Sequence, residues 1–124
     1  MNANPKLYRQ LKVWQKAMDL SVRVYHITAK FPCAETYGLT SQLRRSCVSI
    51  PSNIAEANGR RTKGDKLQFL YVARGSVNEL DTQLELAARI GFLATDDFTR
   101  LESDTDEVVR MLQGLISSIA GRDR

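Results

Sequence analysis

Residues 39–60 have the sequence LTSQLRRSCVSIPSNIAEANGR, and this stretch predicts a single helix with two different faces. One face is apolar, with steps of three and four residues that keep side chains on one side of a helix. The apolar positions are Leu39, Leu43, Cys47, Ile50 and Ile54. The other face is small and hydrogen-bonding, which favours close approach of a second helix. Its positions are Gln42, Arg45, Ser49, Ser52 or Asn53, and Glu56.

Pro51 lies inside this helical pattern. A proline lacks the N–H that would bond the carbonyl of Cys47, and its ring crowds the preceding turn, so the helix should bend there. A break into two helices is the alternative. We favour a kink, because the apolar step from Ile50 to Ile54 stays in phase and nearby serines can satisfy the loosened backbone groups. These serines are Ser46, Ser49 and Ser52.

Apolar spacing predicts three further helices around this one. The four predicted helices cover residues 11–31, 37–58, 64–92 and 96–120, with short connections and no alternating strand pattern. This arrangement is typical of an all-α, up-down-up-down four-helix bundle, with helix 2 kinked at Pro51.

Several residues are predicted to cap the ends of these helices. Gly59 predicts a left-handed carboxyl-terminal cap for helix 2. Asp65 is predicted to cap helix 3, and Thr95 to cap helix 4, with Asp96 and Asp97 in the first turn of helix 4.

Length and composition predict one ordinary soluble domain. The chain has 124 residues, of which 26% are charged and 43% hydrophobic, so residues 1–124 are expected to form a single unit. No apolar run approaches the roughly 20 residues of a membrane span. The amino-terminal residues MNANPKLYRQ lack the apolar core of a signal sequence. We therefore expect a cytoplasmic protein without a membrane partner.

Residues that could carry catalysis or bind a metal are sparse. Cys33 and Cys47 are the only cysteines and His26 is the only histidine, so neither a zinc site nor a disulfide framework is supported. Cys47 is expected to be a small core residue. A metal-binding pair of Glu56 and Glu79 is the alternative, but di-iron bundles need Glu-x-x-His motifs that the chain lacks. We predict no enzyme activity, no cofactor, no metal and no small-molecule substrate.

The first predicted helix is apolar on more than one side. One seam consists of Leu11, Trp14, Met18, Val22, Tyr25 and Ala29, and the other of Val13, Ala17, Leu20, Val24, Ile27 and Phe31. A helix with one buried face needs only one such seam. We predict that the second seam is a subunit interface; a position deep between neighbouring helices is the alternative.

Small residues also predict a close crossing between helices 2 and 3. Gly75 and Ser76 lie mid-helix, where glycine costs about 1 kcal/mol relative to alanine. Glu79, one turn later, is predicted to pair with Arg44 or Arg45, since a guanidinium and a carboxylate can form a bidentate bond. A solvated surface charge is the alternative for Glu79. The predicted polar network is Arg45, Ser49, Asn53, Glu56 and Glu79.

The charges are unevenly distributed along a chain of net charge +4. The first two helices and the start of the third are basic, whereas the carboxyl-terminal helix is acidic, which suggests an anionic partner or subunits that dock positive to negative. Lys and Arg bind phosphates through a salt-sensitive attraction. The predicted nucleic-acid-binding residues are Arg44, Arg60, Arg61, Lys63, Lys66 and Arg74. A solvated basic turn is the alternative.

Four phrases of the sequence carry a resemblance to a known family. They are VWQKA at 13–17, YGLTSQLRR at 37–45, SIPSNIAE at 49–56 and ARGSVNELDTQ at 73–83. With them the chain resembles the four-helix-bundle proteins encoded in 23S ribosomal RNA intervening sequences. The resemblance implies a homo-oligomer that closes into a ring of five subunits. The chain is more distantly similar to accessory proteins of diversity-generating retroelements, which bind a reverse transcriptase and nucleic acid through a basic surface.

These observations lead to two functional hypotheses. The first is a non-enzymatic, ring-forming helical bundle that binds RNA or a ribonucleoprotein through its basic surface. The second is an oligomeric protein–protein scaffold without nucleic-acid binding, in which the charges serve subunit docking.

Overall fold

A computed structural model describes residues 5–121, and this part of the chain contains four α-helices and no strand. The helices are α1 (Lys12–Thr28), α2 (Leu39–Asn58), α3 (Lys63–Arg89) and α4 (Thr95–Ala120). Short 3-10 helices at Leu7–Gln10 and Cys33–Glu35 precede α1 and α2. Both α2 and α4 pack against α1 and α3, so the predicted all-α four-helix bundle is confirmed. Residues 1–4 and 122–124 of the predicted domain lie outside the described range.

The seam of α1 that was predicted to be a subunit interface lies in the core. Its members Val13, Ala17, Leu20, Val24 and Phe31 are at most 7% exposed. Ile27, the remaining member, is partly buried against them. The prediction of an interface at this seam is therefore wrong, because α1 uses this face to pack within its own bundle.

The other seam of α1 faces outward. Met18, Val22 and Tyr25 are 39%, 51% and 42% exposed, and Val48 of α2 is 42% exposed. Met18 and Val48 line one shallow hollow together with the partly buried Trp14. We call these five residues the outer α1 face. The exposed apolar seam of α1 is therefore not the one that was predicted to be an interface.

Helix α2 continues through Pro51, so a break into two helices is wrong. The carbonyl of Cys47, which loses its helical partner because of the proline, accepts a hydrogen bond from the Ser21 hydroxyl of α1 at 3.0 Å. The same hydroxyl lies 2.9 Å from the carbonyl of Ala17, so its one hydrogen serves both oxygens. The serine that donates a hydrogen bond to the Cys47 carbonyl thus belongs to α1, whereas the serines predicted for this role belong to α2. A bend at Pro51 stays a prediction.

The caps of α3 and α4 differ from those predicted. Thr62 is the residue before α3, and its hydroxyl accepts a hydrogen bond from the N–H of Asp65 at 3.1 Å. Asp65 therefore lies in the first turn and is not the cap. Helix α4 follows Ala94 without a side-chain cap, so Thr95 is also not the cap. Asp96 and Asp97 occupy the first turn of α4, where negative charge suits the positive helix end.

The glycine with a left-handed backbone conformation lies at the end of α3, and not at the end of α2. Gly91 has a φ of 87°, and its N–H bonds the carbonyl of Ala88 at 3.1 Å while that of Phe92 bonds Ala87 at 3.0 Å. This pair of bonds satisfies carbonyls at the end of the helix. Gly59 has a φ of −84°, so the left-handed cap predicted there is wrong.

The Ser21 hydrogen bond gives a test of how Pro51 is accommodated. Ser21→Ala should lower the free energy of unfolding by about 1–3 kcal/mol, because it leaves the buried Cys47 carbonyl without its donor. In a Pro51→Ala background a backbone N–H is restored, so the same substitution should cost about 1 kcal/mol less. Urea denaturation of the four proteins measures both values.

Ser52→Ala, at an exposed position of α2, is the control and should change the free energy of unfolding by no more than about 0.5 kcal/mol. An equal loss from Ser21→Ala in both backgrounds would contradict the assignment.

Candidate nucleic-acid interface

One end of the bundle brings together the carboxyl ends of α2 and α4 and the amino end of α3. The Lys66 ammonium donates to the carbonyls of Ala57 and Asn58 at 3.3 and 3.4 Å. The Lys63 ammonium donates to the carbonyl of Ala120 at 3.3 Å. Each lysine thus offsets the partial negative charge at the end of one helix. Residues 59–66 with these two helix ends are called the basic end below.

Two arginines occupy the turn at the basic end. Arg60 and Arg61 line an open hollow of about 590 Å³ together with Gly59, Thr62 and Asp65. The hollow lies at the amino end of α3, whose unpaired N–H groups and positive dipole favour anions. The hollow therefore has the size and electrostatics to admit a phosphate group.

Arg60 and Arg61 differ in how they are held. The Arg60 guanidinium lies 4.6 Å over the Phe69 ring and 3.6 Å from a carboxylate oxygen of Glu56. Both partners of this ion pair are about half exposed, so it is weak and leaves Arg60 accessible to a phosphate. Arg61 is exposed, and no ion pair of its side chain occurs among residues 5–121. Arg61 is thus the more accessible of the two cations.

Arg74 lies further along α3, on the side that faces α4. Its guanidinium donates to the side-chain oxygen of Gln113 at 2.9 Å and lies 5.0 Å over the ring of Tyr71. Lys63 also reaches α4 and precedes Arg74 by three helical turns, so both cations are on one side of α3.

Arg44 is separate from the other predicted phosphate-binding residues. Its guanidinium donates to the Thr28 hydroxyl at 2.9 Å and to the Tyr25 carbonyl at 3.3 Å, and it lies 4.5 Å over the Tyr25 ring. These contacts tie the first half of α2 to the last turn of α1, at the end of the bundle opposite the basic end. The structure therefore brings together five of the six predicted residues at one end and along α3, and not Arg44.

The polar network between α2 and α3 is smaller than predicted. The hydroxyls of Ser49 and Ser76 are hydrogen-bonded at 2.8 Å, and the Asn53 amide donates to Ser49 Oγ at 3.0 Å. The Ser46 hydroxyl donates to the Gln83 side chain at 2.8 Å. Ser46 and Gln83 were missed, although Gln83 follows Ser76 by seven residues and so shares its face.

Three charged members of the predicted network lie outside it. Arg45, Glu56 and Glu79 are exposed, and Glu56 pairs with Arg60 on the surface. Within the described residues Glu79 forms no ion pair with Arg45, and Arg44 bonds to α1 instead. The predicted pair of Glu79 with one of these arginines is therefore wrong within a single chain.

An acidic pair lies between α3 and α4. The hydrogen bond with Asp81, followed by burial and by the charges of Asp81, Asp106 and Glu85, raises the pKa of Glu102 to about 7. A shared proton between Asp81 and Glu102 accounts for this direction, since two adjacent carboxylates cannot both ionise easily. One oxygen of each side chain, Asp81 Oδ1 and Glu102 Oε2, is buried, and within residues 5–121 no donor from another residue reaches it. Full ionisation of the pair is therefore unfavourable.

Other groups in the described range offer little reactive chemistry. Burial raises the pKa of the Cys47 thiol to about 11, whereas Cys33 is exposed, and both cysteines are free. His26 is exposed. Between residues 5 and 121, no group of three His, Cys, Asp or Glu side chains is placed to hold a metal ion. Every helix within residues 5–121 is too short or too polar to span a lipid bilayer.

The acidic pair predicts an unusual pH dependence of stability. The folded-state pKa of Glu102, about 7, is above the roughly 4.3 of an unfolded glutamate, so the folded state binds the extra proton between these values. The free energy of unfolding should therefore fall as pH rises from about 5 to about 8. In Glu102→Gln, whose amide donates to Asp81 at every pH, this decrease should be lost.

Urea denaturation at both pH values tests this dependence. Asp19→Asn, at an exposed position of α1, should keep the wild-type pH dependence. Equal pH dependence in the wild type and Glu102→Gln would contradict the shared proton.

The family model for the 23S rRNA-intervening sequence protein matches residues 9–114, from before α1 into α4. A crystal structure from Bacteroides thetaiotaomicron, described as a protein with unknown function from the S23 ribosomal protein family, is similar with a TM-score of 0.76. The two sequences are 25% identical, and the match covers 84% of this chain and 97% of that chain. No curated protein matches the chain.

Proposed function

Because the chain belongs to the family of 23S rRNA-intervening sequence proteins, we propose that it is a non-enzymatic helical bundle that assembles into a ring and binds RNA through its basic end. The observation that carries the proposal is the convergence of Arg60 and Arg61 on one open hollow, beside Lys63 and Lys66. Cations gathered in this way attract phosphates of any sequence.

The architecture of the basic end supports anion binding there. Carboxyl ends of two helices would by themselves repel a phosphate, but Lys63 and Lys66 offset both of them. The amino end of α3 and the two arginines then dominate the local potential. Glu56 and Asp65 reduce this potential without cancelling it, so one subunit alone is expected to bind RNA weakly.

Assembly provides the second part of the proposal, since several weak sites on one ring bind a long RNA far more tightly than one site. A ring contact joins two different surfaces of each subunit. The outer α1 face is one such surface. The other is the exposed side of α3, where Val72 and Leu86 are 44% and 51% exposed and flank Glu79. A ring of five subunits is what the family resemblance implies.

Two exposed charges are available for a contact between copies of the chain. Arg45 and Glu79 are exposed on neighbouring helices, and neither forms an ion pair within the described residues. In a ring each could pair with a charge on the adjacent subunit, which would place the predicted Glu79–arginine pair between chains. The sequence resemblance to retroelement accessory proteins, which bind nucleic acid through a basic surface, supports the RNA-binding part of the proposal.

RNA binding is tested by reversing charge at the basic end. Replacing Arg60, Arg61 and Lys63 with glutamate should weaken binding of a labelled RNA by at least about tenfold at low salt and reduce the salt dependence of binding, because phosphate contacts are lost. Filter binding over a range of salt concentrations measures both effects. Arg61→Glu alone should show a smaller loss in the same direction.

The matched control reverses the same number of charges at the opposite end of the bundle. Lys30, Arg89 and Arg100 are exposed there, and their replacement by glutamate should leave most of the affinity intact. Equal losses from the two triple variants, or no RNA binding by the wild type at low salt, would contradict the proposal. Binding of a protein after nuclease treatment, without RNA affinity, would favour the scaffold hypothesis.

Assembly is tested by placing a charge on the outer α1 face. Val22→Glu should convert the wild-type oligomer to smaller species, because an unpaired carboxylate would be buried in the contact. Light scattering of the purified proteins measures the mass. Thr99→Glu, at an exposed position of α4, is the control and should keep the wild-type mass. A monomeric wild type would contradict the ring.

A further inference from the structure

We propose that the RNA bound by this protein is single-stranded, and that an unpaired base stacks on the platform formed by Tyr71 and Arg74. This inference rests on the proposed function, because it assumes that RNA binds at the basic end. It adds the class of RNA and a contact that does not depend on phosphate charge.

The exposure of Tyr71 is the first observation. Tyr71 is 42% exposed. Phe69, the other aromatic residue in the same part of α3, is partly buried against the core, so packing accounts for it. Tyr71 keeps more of its surface in solvent than Phe69 does, so part of its aromatic ring is available to a ligand.

The arrangement of Arg74 is the second observation. Its guanidinium lies 5.0 Å over the Tyr71 ring, and Gln113 of α4 holds it by a hydrogen bond of 2.9 Å. The guanidinium thus lies over the aromatic ring, and a neighbouring helix holds it there before any ligand arrives. Aromatic rings and guanidinium planes are the groups on which proteins stack unpaired RNA bases.

The position of the platform connects it to the basic end. Tyr71 and Arg74 follow Lys63 by eight and eleven residues, which corresponds to about 12 and 17 Å along the helix axis. Lys63 and Arg74 both reach α4, so they are on one side of α3. A strand whose phosphates contact the basic end can therefore continue along the α3–α4 side and place a base at Tyr71.

Base stacking discriminates between classes of RNA. In a duplex the base faces are already stacked on one another, so the platform has nothing to bind, whereas unpaired bases can leave the strand and stack on a protein ring. Phosphate contacts at the basic end are available to either form of RNA. The platform should thus add affinity only for single strands.

The test compares Tyr71 variants on two RNAs of equal length. Tyr71→Ala should weaken binding of a labelled 12-nucleotide single strand about tenfold, within the range that base–aromatic stacking contributes. Its affinity for a 12-base-pair duplex and the salt dependence of binding should stay unchanged, since no phosphate contact is removed. Tyr71→Phe keeps the ring and should bind as the wild type does. Fluorescence anisotropy measures affinity, and thermal melting confirms that the variants are folded.

A 2-aminopurine base in the single strand gives a direct readout of stacking. Its fluorescence should be quenched on binding to the wild type and to Tyr71→Phe, and less so on binding to Tyr71→Ala. Unchanged affinity and quenching in Tyr71→Ala, while charge reversal at Arg61 still weakens binding, would overturn the inference and leave the proposed function standing. Failure of the wild type to bind either RNA would instead overturn the proposed function, and the inference with it.

Discussion

The hydrogen bond from the Ser21 hydroxyl to the Cys47 carbonyl helps to fix how α1 lies on α2. Pro51 leaves that carbonyl without a helical partner, and a buried carbonyl in this state is costly. Because the donor comes from α1, the rotation and the axial position of α1 on α2 are both restricted. Ser21 lies on the buried side of α1, whereas the outer α1 face stays exposed. The contact that accommodates Pro51 thus lies beside the surface proposed for assembly.

Charged residues have two different roles in this bundle. Buried Asp104 of α4 forms ion pairs with Lys16 and Arg23, which join α4 to α1. At the basic end, Lys63 and Lys66 bond the last carbonyls of two helices and leave the arginines of the turn accessible. Charged residues therefore serve both to hold the helices together and to present a positive surface.

Apolar spacing alone was enough to predict the four helices, because steps of three and four residues are independent of tertiary contacts. Apolar spacing could not indicate which seam of α1 faces inward, since both seams are apolar and only packing against α2 and α4 distinguishes them.

The predicted ion pair of Glu79 failed for a related reason. Whether Arg44 points toward α3 or toward α1 depends on the rotation of α2, which the sequence does not give. Asp65 was predicted to cap α3 in place of Thr62, because both threonine and aspartate are common capping residues and the two lie within one helical turn of each other. The cluster at the basic end was largely predictable, since residues 60–66 are adjacent in sequence.

The two cysteines differ sharply in accessibility, and this has a practical use. The Cys47 thiol is fully buried and remains protonated at neutral pH, whereas Cys33 is exposed in the connection between α1 and α2. A maleimide dye should therefore attach once per chain without any engineered site, far from the basic end. Stepwise photobleaching of such labelled particles would count subunits one molecule at a time.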